Sequence, residues 1–132
     1  MEKRFKNWKM PEIKEGKPTK YNWLVQNKEG FKLGKYTDIG AFCYINAKNG
    51  VAVEDGVQIG SHCSIYSVST IDGKSGKVIL KNNCMIGSHS IIMPGVTVGK
   101  NSVVGAFSLV NKDIPENTLA YGIPVKIIKK LG

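Results

Sequence analysis

Arginine is almost missing from this chain of 132 residues: of its 19 basic side chains only Arg4 is an arginine, against 10 acidic residues. The net charge of +9 therefore rests on lysine. Proteins that read nucleic-acid sequence lean on arginine for bidentate contacts to guanine. The chain also lacks a C-x-x-C pair, an RNP-like aromatic motif and a basic helix. No nucleic-acid partner is expected; excess lysine attracts anions in general, and a small phosphorylated ligand accounts for it. No run approaches ~18 consecutive apolar residues, which excludes a transmembrane helix and any expectation of membrane insertion. The first residues, through Lys17, have no apolar stretch behind their charges, so no signal peptide is expected. Three cysteines cannot all pair, and they read as reduced thiols of a cytoplasmic protein. A hydrophobic share of 42% is too high for a disordered chain, and the length suits one domain.

What the chain has in abundance is repetition. Val57 to Ile65 reads VQIGSHCSI and Cys84 to Ile92 reads CMIGSHSII, a near copy. Aliphatic residues recur every six positions at Leu80, Ile86, Ile92, Val98, Val104 and Val110. A helix would want spacings of three and four. A period of six instead lays the chain on a prism with three faces. Face one starts at Ile39, Ile59, Ile86 and Val104, each followed by glycine; face two at Val25, Ile45, Ile65, Ile92 and Val110; face three at Leu33, Val53, Leu80 and Val98. Each face is predicted to be a short strand, stacked in parallel on the next coil ~4.8 Å away. The lead aliphatic points inward, and the glycine after it is read as easing a tight corner. Four positions after the lead the residue is small: Cys43, Cys63, Ser90 and Ser108 on face one, Thr37, Val57, Cys84 and Ser102 on face three. The cysteines thus fall in interior columns and read as packing residues, not nucleophiles or metal ligands.

The two histidines, His62 and His89, share one position of face one in neighbouring coils, in a column that reads Phe42, His62, His89, Phe107. They should point outward near a corner, ~5 Å apart. Three readings follow: a surface stack of polar and apolar rings, a general base working as neutral imidazole near pH 7, or a shared zinc.

From Val78 to Lys129 the chain resembles the hexapeptide-repeat acyltransferases. It has the run of [LIV]-G-x-x-x-x hexads, then Pro94-Gly95-Val96, Lys112-Asp113-Ile114-Pro115 and Gly122-Ile123-Pro124-Val125-Lys126-Ile127. The resemblance extends from about residue 24 to the end and is closest to the galactoside, maltose, xenobiotic and sugar acetyltransferases. It implies an all-β, left-handed parallel β-helix of about four to five triangular coils, over residues 23–114. Residues 1–22 are expected to form an arm or cap, with Trp8, Tyr21 or Trp23 packing on the open end. Residues 115–132 are expected to add a strand or loop and a short helix at Pro124 to Lys130. The resemblance further implies a homotrimer with sites between subunits, acetyl-CoA as acyl donor, and no metal. Gly87, Ser88, Gly105 and Ala106 are its candidates for the pantetheine, and Lys112, Lys126 and Lys129 for the phosphates.

In the relatives the catalytic histidine lies in a segment like T-x-x-H-P after a face-two lead; here Thr70 stands at that place, and the long loop is cut to DGKSGK, Asp72 to Lys77. His62 or His89 would then serve as base from one face away, or no base is used. An amine can attack neutral and lose its proton later, which favours N-acetylation. The expected acceptor is an amino sugar on a nucleotide, contacted by Tyr44, Tyr66 and Asp72. The alternatives are O-acetylation of a sugar or glycan hydroxyl, a non-catalytic scaffold, and a relative of the gamma-class carbonic anhydrases, which need three histidine ligands.

Overall fold

The computed structural model describes residues 6–132, so the first five residues of the expected N-terminal arm lie outside the described residues. The fold is the expected all-β parallel β-helix of triangular coils, about five turns long. Face two is a five-stranded sheet of Leu24–Gln26, Tyr44–Asn46, Ser64–Tyr66, Ile91–Ile92 and Leu109–Val110. Face three is built from Phe31–Leu33, Val51–Val53, Val78–Leu80 and Thr97–Val98. Face one holds Asp38–Ile39, Gln58–Ile59, Met85–Ile86, Val103–Val104 and Thr118–Tyr121, and ends on Lys126–Lys130. The register places lead on lead: Ile39 beside Ile59, Ile59 beside Ile86, Ile86 beside Val104. Apart from Leu33, half-buried at the N-terminal end, every lead aliphatic is buried. Among the described residues no helix is long and apolar enough to cross a membrane.

The glycine after each face-one lead answers to a different constraint from the one expected. Its backbone is not in the left-handed region. A Cβ on Gly40 would come within 2.5 Å of Ser61 N, and one on Gly87 within 2.4 Å of Ala106 N. The main chain of the next coil passes there, and only a hydrogen fits. The left-handed residue comes two positions later, at Phe42, His62, His89 and Phe107, with φ of 66°, 60°, 61° and 57°. Small interior residues tie successive corners together. Cys43 Sγ donates to Gly60 O at 3.1 Å, Cys63 Sγ to Gly87 O at 3.2 Å, and Ser90 Oγ to Gly105 O at 3.3 Å. All three cysteines are buried free thiols, and burial pushes the Cys84 thiol up to about 12.

At the N-terminal end Trp8 Nε1 donates to Thr37 O at 2.8 Å, and Trp23 is buried with its ring 6.2 Å from that of Phe31. Tyr21 stays half exposed. The C-terminal end corrects the expected short helix: Lys126–Lys130 is a strand, antiparallel to Thr118–Tyr121. An isolated helix of this length is marginal, and the last coil offers a free strand edge that a strand can pair and a helix cannot. Adjacent Ile127 and Ile128 are β-branched and favour the extended form. Val125, buried, donates its N–H to Leu109 O at 2.9 Å and closes face two. The shortened loop is also more ordered than a turn: Val68–Ser69 and Lys74–Ser75 pair as an antiparallel hairpin at the corner of faces two and three.

Candidate functional site

The column of rings is a continuous ladder. Phe42 and His62 lie 5.1 Å apart at 41°, His62 and His89 4.7 Å apart at 6°, and His89 and Phe107 4.8 Å apart at 3°. Each rung is fixed by its backbone. His62 N donates to Ala41 O at 3.0 Å, His89 N to Ser61 O at 3.0 Å, and Phe107 N to Ser88 O at 3.0 Å. All four rings are exposed at the corner between faces one and two, open to whatever sits beside them.

Beside the ladder a groove runs along the outside of face one. Gln58, Met85 and Val103 line its floor, Asp38 one end, and the corner residues Gly60, Ser61, Gly87, Ser88, Gly105 and Ala106 its wall. It therefore gathers the expected Gly87, Ser88, Gly105 and Ala106. Among the described residues the main-chain N–H groups of Ser61, Ser88 and Ala106 donate to no protein acceptor. That leaves one open donor per coil, each in the residue before a ladder ring. Sequence reasoning missed Ser61 and the floor residues. The signal was available: the residue before each lead must point outward if the lead points in.

The lysines separate. Lys126 and Lys129 are exposed on the strand that extends face one beyond Thr118–Tyr121, so they continue the sheet that floors the groove. Lys112 follows the last strand of face two at another corner. Its neighbour Asp113 accepts from Thr97 N at 2.8 Å and pins the turn. Tyr44 and Tyr66 lie together on the outside of face two, rings 5.7 Å apart. The Tyr44 hydroxyl donates to Gln26 Oε1 and accepts from Asn46 Nδ2 at 3.4 Å. Asp72 sits at the tip of the hairpin, where Ser69 and the N–H of Lys74, donating at 3.2 Å, hold its carboxyl below the usual carboxylate range. The hairpin and the ladder occupy opposite corners of face two. Among the described residues no three His, Cys, Asp or Glu side chains group as metal ligands.

Chemically, the arrangement offers what an extended acyl carrier and a nucleophile need: open backbone donors along a groove, and a proton acceptor at its rim. Compared with known proteins, residues 77–112 match a family model described as bacterial transferase hexapeptide (six repeats). Galactoside O-acetyltransferase of Escherichia coli (strain K12) is 35% identical over 126 residues, 84% of this chain and 62% of that protein. The chain spans less than two thirds of the length of the curated relatives it matches. Among solved structures, a hexapeptide-repeat acetyltransferase from Vibrio cholerae complexed with acetyl coenzyme A superposes with a TM-score of 0.79 at 27% identity, over 83% of this chain and 65% of that one. AntD, an N-acyltransferase from Bacillus cereus in complex with dTDP and 3-hydroxybutyryl-CoA, superposes with a TM-score of 0.69 at 26% identity, over 86% of this chain and 79% of that one.

Proposed function

For a chain that belongs to the hexapeptide-repeat family, we propose the activity of an acetyl-CoA-dependent acetyltransferase that N-acetylates an amino sugar carried on a nucleotide. The observation that carries this reading is the groove on face one, where three open main-chain donors stand next to paired imidazoles. Ser61, Ser88 and Ala106 N–H would face the pantetheine, two of them holding its two amide carbonyls, with Gly87 and Gly105 keeping the wall low. Lys126 and Lys129 would meet the phosphates as point charges. Lys112 is the weaker candidate, since it leaves from a different corner. Acetyl-CoA supplies an acyl group activated as a thioester.

The chain's own work is to position and to move one proton. The amine forms its bond to the acyl carbon, the carbon–sulfur bond breaks, and its electron pair leaves with sulfur. The surplus proton of the amine passes to His62 or His89, of which His62 is preferred. The acceptor would lie against Tyr44, Tyr66 and, from the hairpin of another subunit, Asp72. The active unit is then a homotrimer with sites between subunits, working in the cytoplasm.

Release of CoA thiol from acetyl-CoA against amino and hydroxy sugars, free and nucleotide-linked, tests the reading. Turnover with a nucleotide amino sugar is expected; failure of acetyl-CoA to bind at all overturns the enzyme. Similarity to a galactoside O-acetyltransferase favours a second reading, O-acetylation. A hydroxyl must lose its proton as it attacks, so that reading requires turnover with hydroxy sugars.

A further inference from the structure

A second hollow lies at the N-terminal end, and neither the ladder nor the groove uses it. Its aromatic wall is Trp8, Tyr21 and Trp23. Lys9 and Lys20 stand at it, and Asp38 closes one side. It measures about 200 Å³, room for one ring system. The wall is set before any ligand arrives. Trp8 Nε1 is committed to Thr37 O at 2.8 Å, Trp23 is buried, and Tyr21 N is tied to Thr19 Oγ1 at 3.2 Å. The half-exposed Tyr21 ring, which packing alone does not explain, presents an open face with Lys20 Nζ 5.1 Å from its centroid. Among the described residues neither Lys9 nor Lys20 has an ion-pair partner.

An exposed aromatic face such as that of Tyr21, backed by the buried Trp23, stacks on a planar base, and ammonium groups take phosphate oxygens. Together they describe the base and diphosphate of a nucleotide. Position adds the third element. Asp38 lines both this hollow and the groove on face one, so the two adjoin at that residue. We propose that the hollow walled by Trp8, Tyr21 and Trp23 binds the base of a nucleoside diphosphate, with Lys9 and Lys20 on its phosphates. The attached amino sugar then runs past Asp38 along the groove towards the ladder. This rests on the acetyltransferase reading for the fate of the sugar; the nucleotide site itself stands without it.

The chain contains two tryptophans, Trp8 and Trp23, and both line the hollow. Tryptophan emission therefore reports on it directly. Titration of the full chain with UDP and with dTDP is expected to change the emission saturably, with and without saturating acetyl-CoA. The corresponding monophosphates and free glucosamine should bind at least tenfold more weakly. Lys20→Ala and Tyr21→Ala, both at exposed positions, should each weaken the diphosphate at least fivefold while acetyl-CoA binding by calorimetry stays within twofold. No saturable change with any nucleoside diphosphate overturns the proposal, as does binding of free glucosamine as tight as that of UDP. Competition between the diphosphate and acetyl-CoA overturns it too, since the hollow would then be the adenine end of the donor site. Nucleotide binding without acetyl-CoA binding would sink the acetyltransferase and leave this site standing. Turnover on free amino sugars without nucleotide binding would do the reverse.

Discussion

Asparagine and glycine adopt the left-handed backbone at least cost, and the face-three corners after the first coil, where Tyr36 stands, use them: Gly56, Asn83, Asn101 and Asn117. The face-one corners hold the same conformation with Phe42, His62, His89 and Phe107. A bulky ring there carries a backbone cost of order 1 kcal/mol, and the cost recurs in four successive coils. Stacking returns part of it, but asparagine would avoid it altogether. That contrast supplies a clean probe of the imidazoles. His62→Asn keeps the backbone and removes the base. A fall in kcat of about a hundredfold or more is expected, with a smaller one for His89→Asn and a melting temperature that does not drop. If both variants stay within threefold of the parent, neither histidine is the base.

The glycines divide at the same scale. Gly87→Ala drives a Cβ to 2.4 Å from the backbone of Ala106, whereas Gly73→Ala has open space around it and only its φ of 72° to contend with. Urea midpoints should show a loss of about 3 kcal/mol or more for the first and about 1 kcal/mol for the second. The sequence announced which positions were glycine. It could not announce why, because the clash is with a residue 19 positions along the chain. Cys84 was legible as an interior residue, and its titration follows. Its thiol holds its proton to about pH 12 in the fold, against an ordinary value of 9.0. Below pH 9 both states are protonated and nothing is lost. Above it the unfolded chain gives up its proton first, so stability falls with pH by up to about 1.4 kcal/mol per unit. Urea unfolding of the parent and of Cys84→Ser from pH 8 to 11 should give curves that diverge only above pH 9, the parent falling faster.

At the scale of elements, legibility tracked the hydrophobic pattern. Strands of two or three residues could be placed because each carries one buried lead in a fixed register. Lys126–Lys130 could not, since all five of its residues are exposed and no inward face marks it. What makes it a strand is the free edge of Thr118–Tyr121, a partner visible only once the coils are stacked. The hairpin of Val68–Ser69 with Lys74–Ser75 escaped for the same reason: neither strand is buried. The C-terminal strand is therefore held by pairing and by one plug, Val125, at 2% exposure. Val125→Asp buries a charge beneath the last coil and should cost about 3 kcal/mol. Ile128→Lys, on the exposed strand, should shift the urea midpoint by an equivalent of about 0.5 kcal/mol or less. Equal effects would mean that pairing alone closes the helix.

At the scale of the whole molecule, the residues expected to act together are divided between opposite corners. The ladder stands at the corner of faces one and two, and Asp72 at the corner of faces two and three, with the width of face two between them. One small substrate cannot be handled by both ends of one chain. It can be if the hairpin corner of one copy faces the ladder corner of the next around a closed ring, the heterologous contact that generates cyclic oligomers. The exposed surfaces fit that arrangement: Ile71 at the hairpin tip is 99% exposed, and Phe42 and Phe107 are 64% and 62% exposed at the ladder. Sedimentation should give a trimer, and subunit mixing then decides the composition of the site. His62→Asn and Asp72→Ala are each expected to be nearly inactive alone. Co-refolded in equal amounts, they should recover a substantial fraction of the parent rate, because mixed trimers contain junctions where an intact ladder meets an intact hairpin. Recovery absent, with both variants trimeric and each binding acetyl-CoA, would confine the site to one chain. An Asp72→Ala variant with full activity would remove the hairpin from the site altogether.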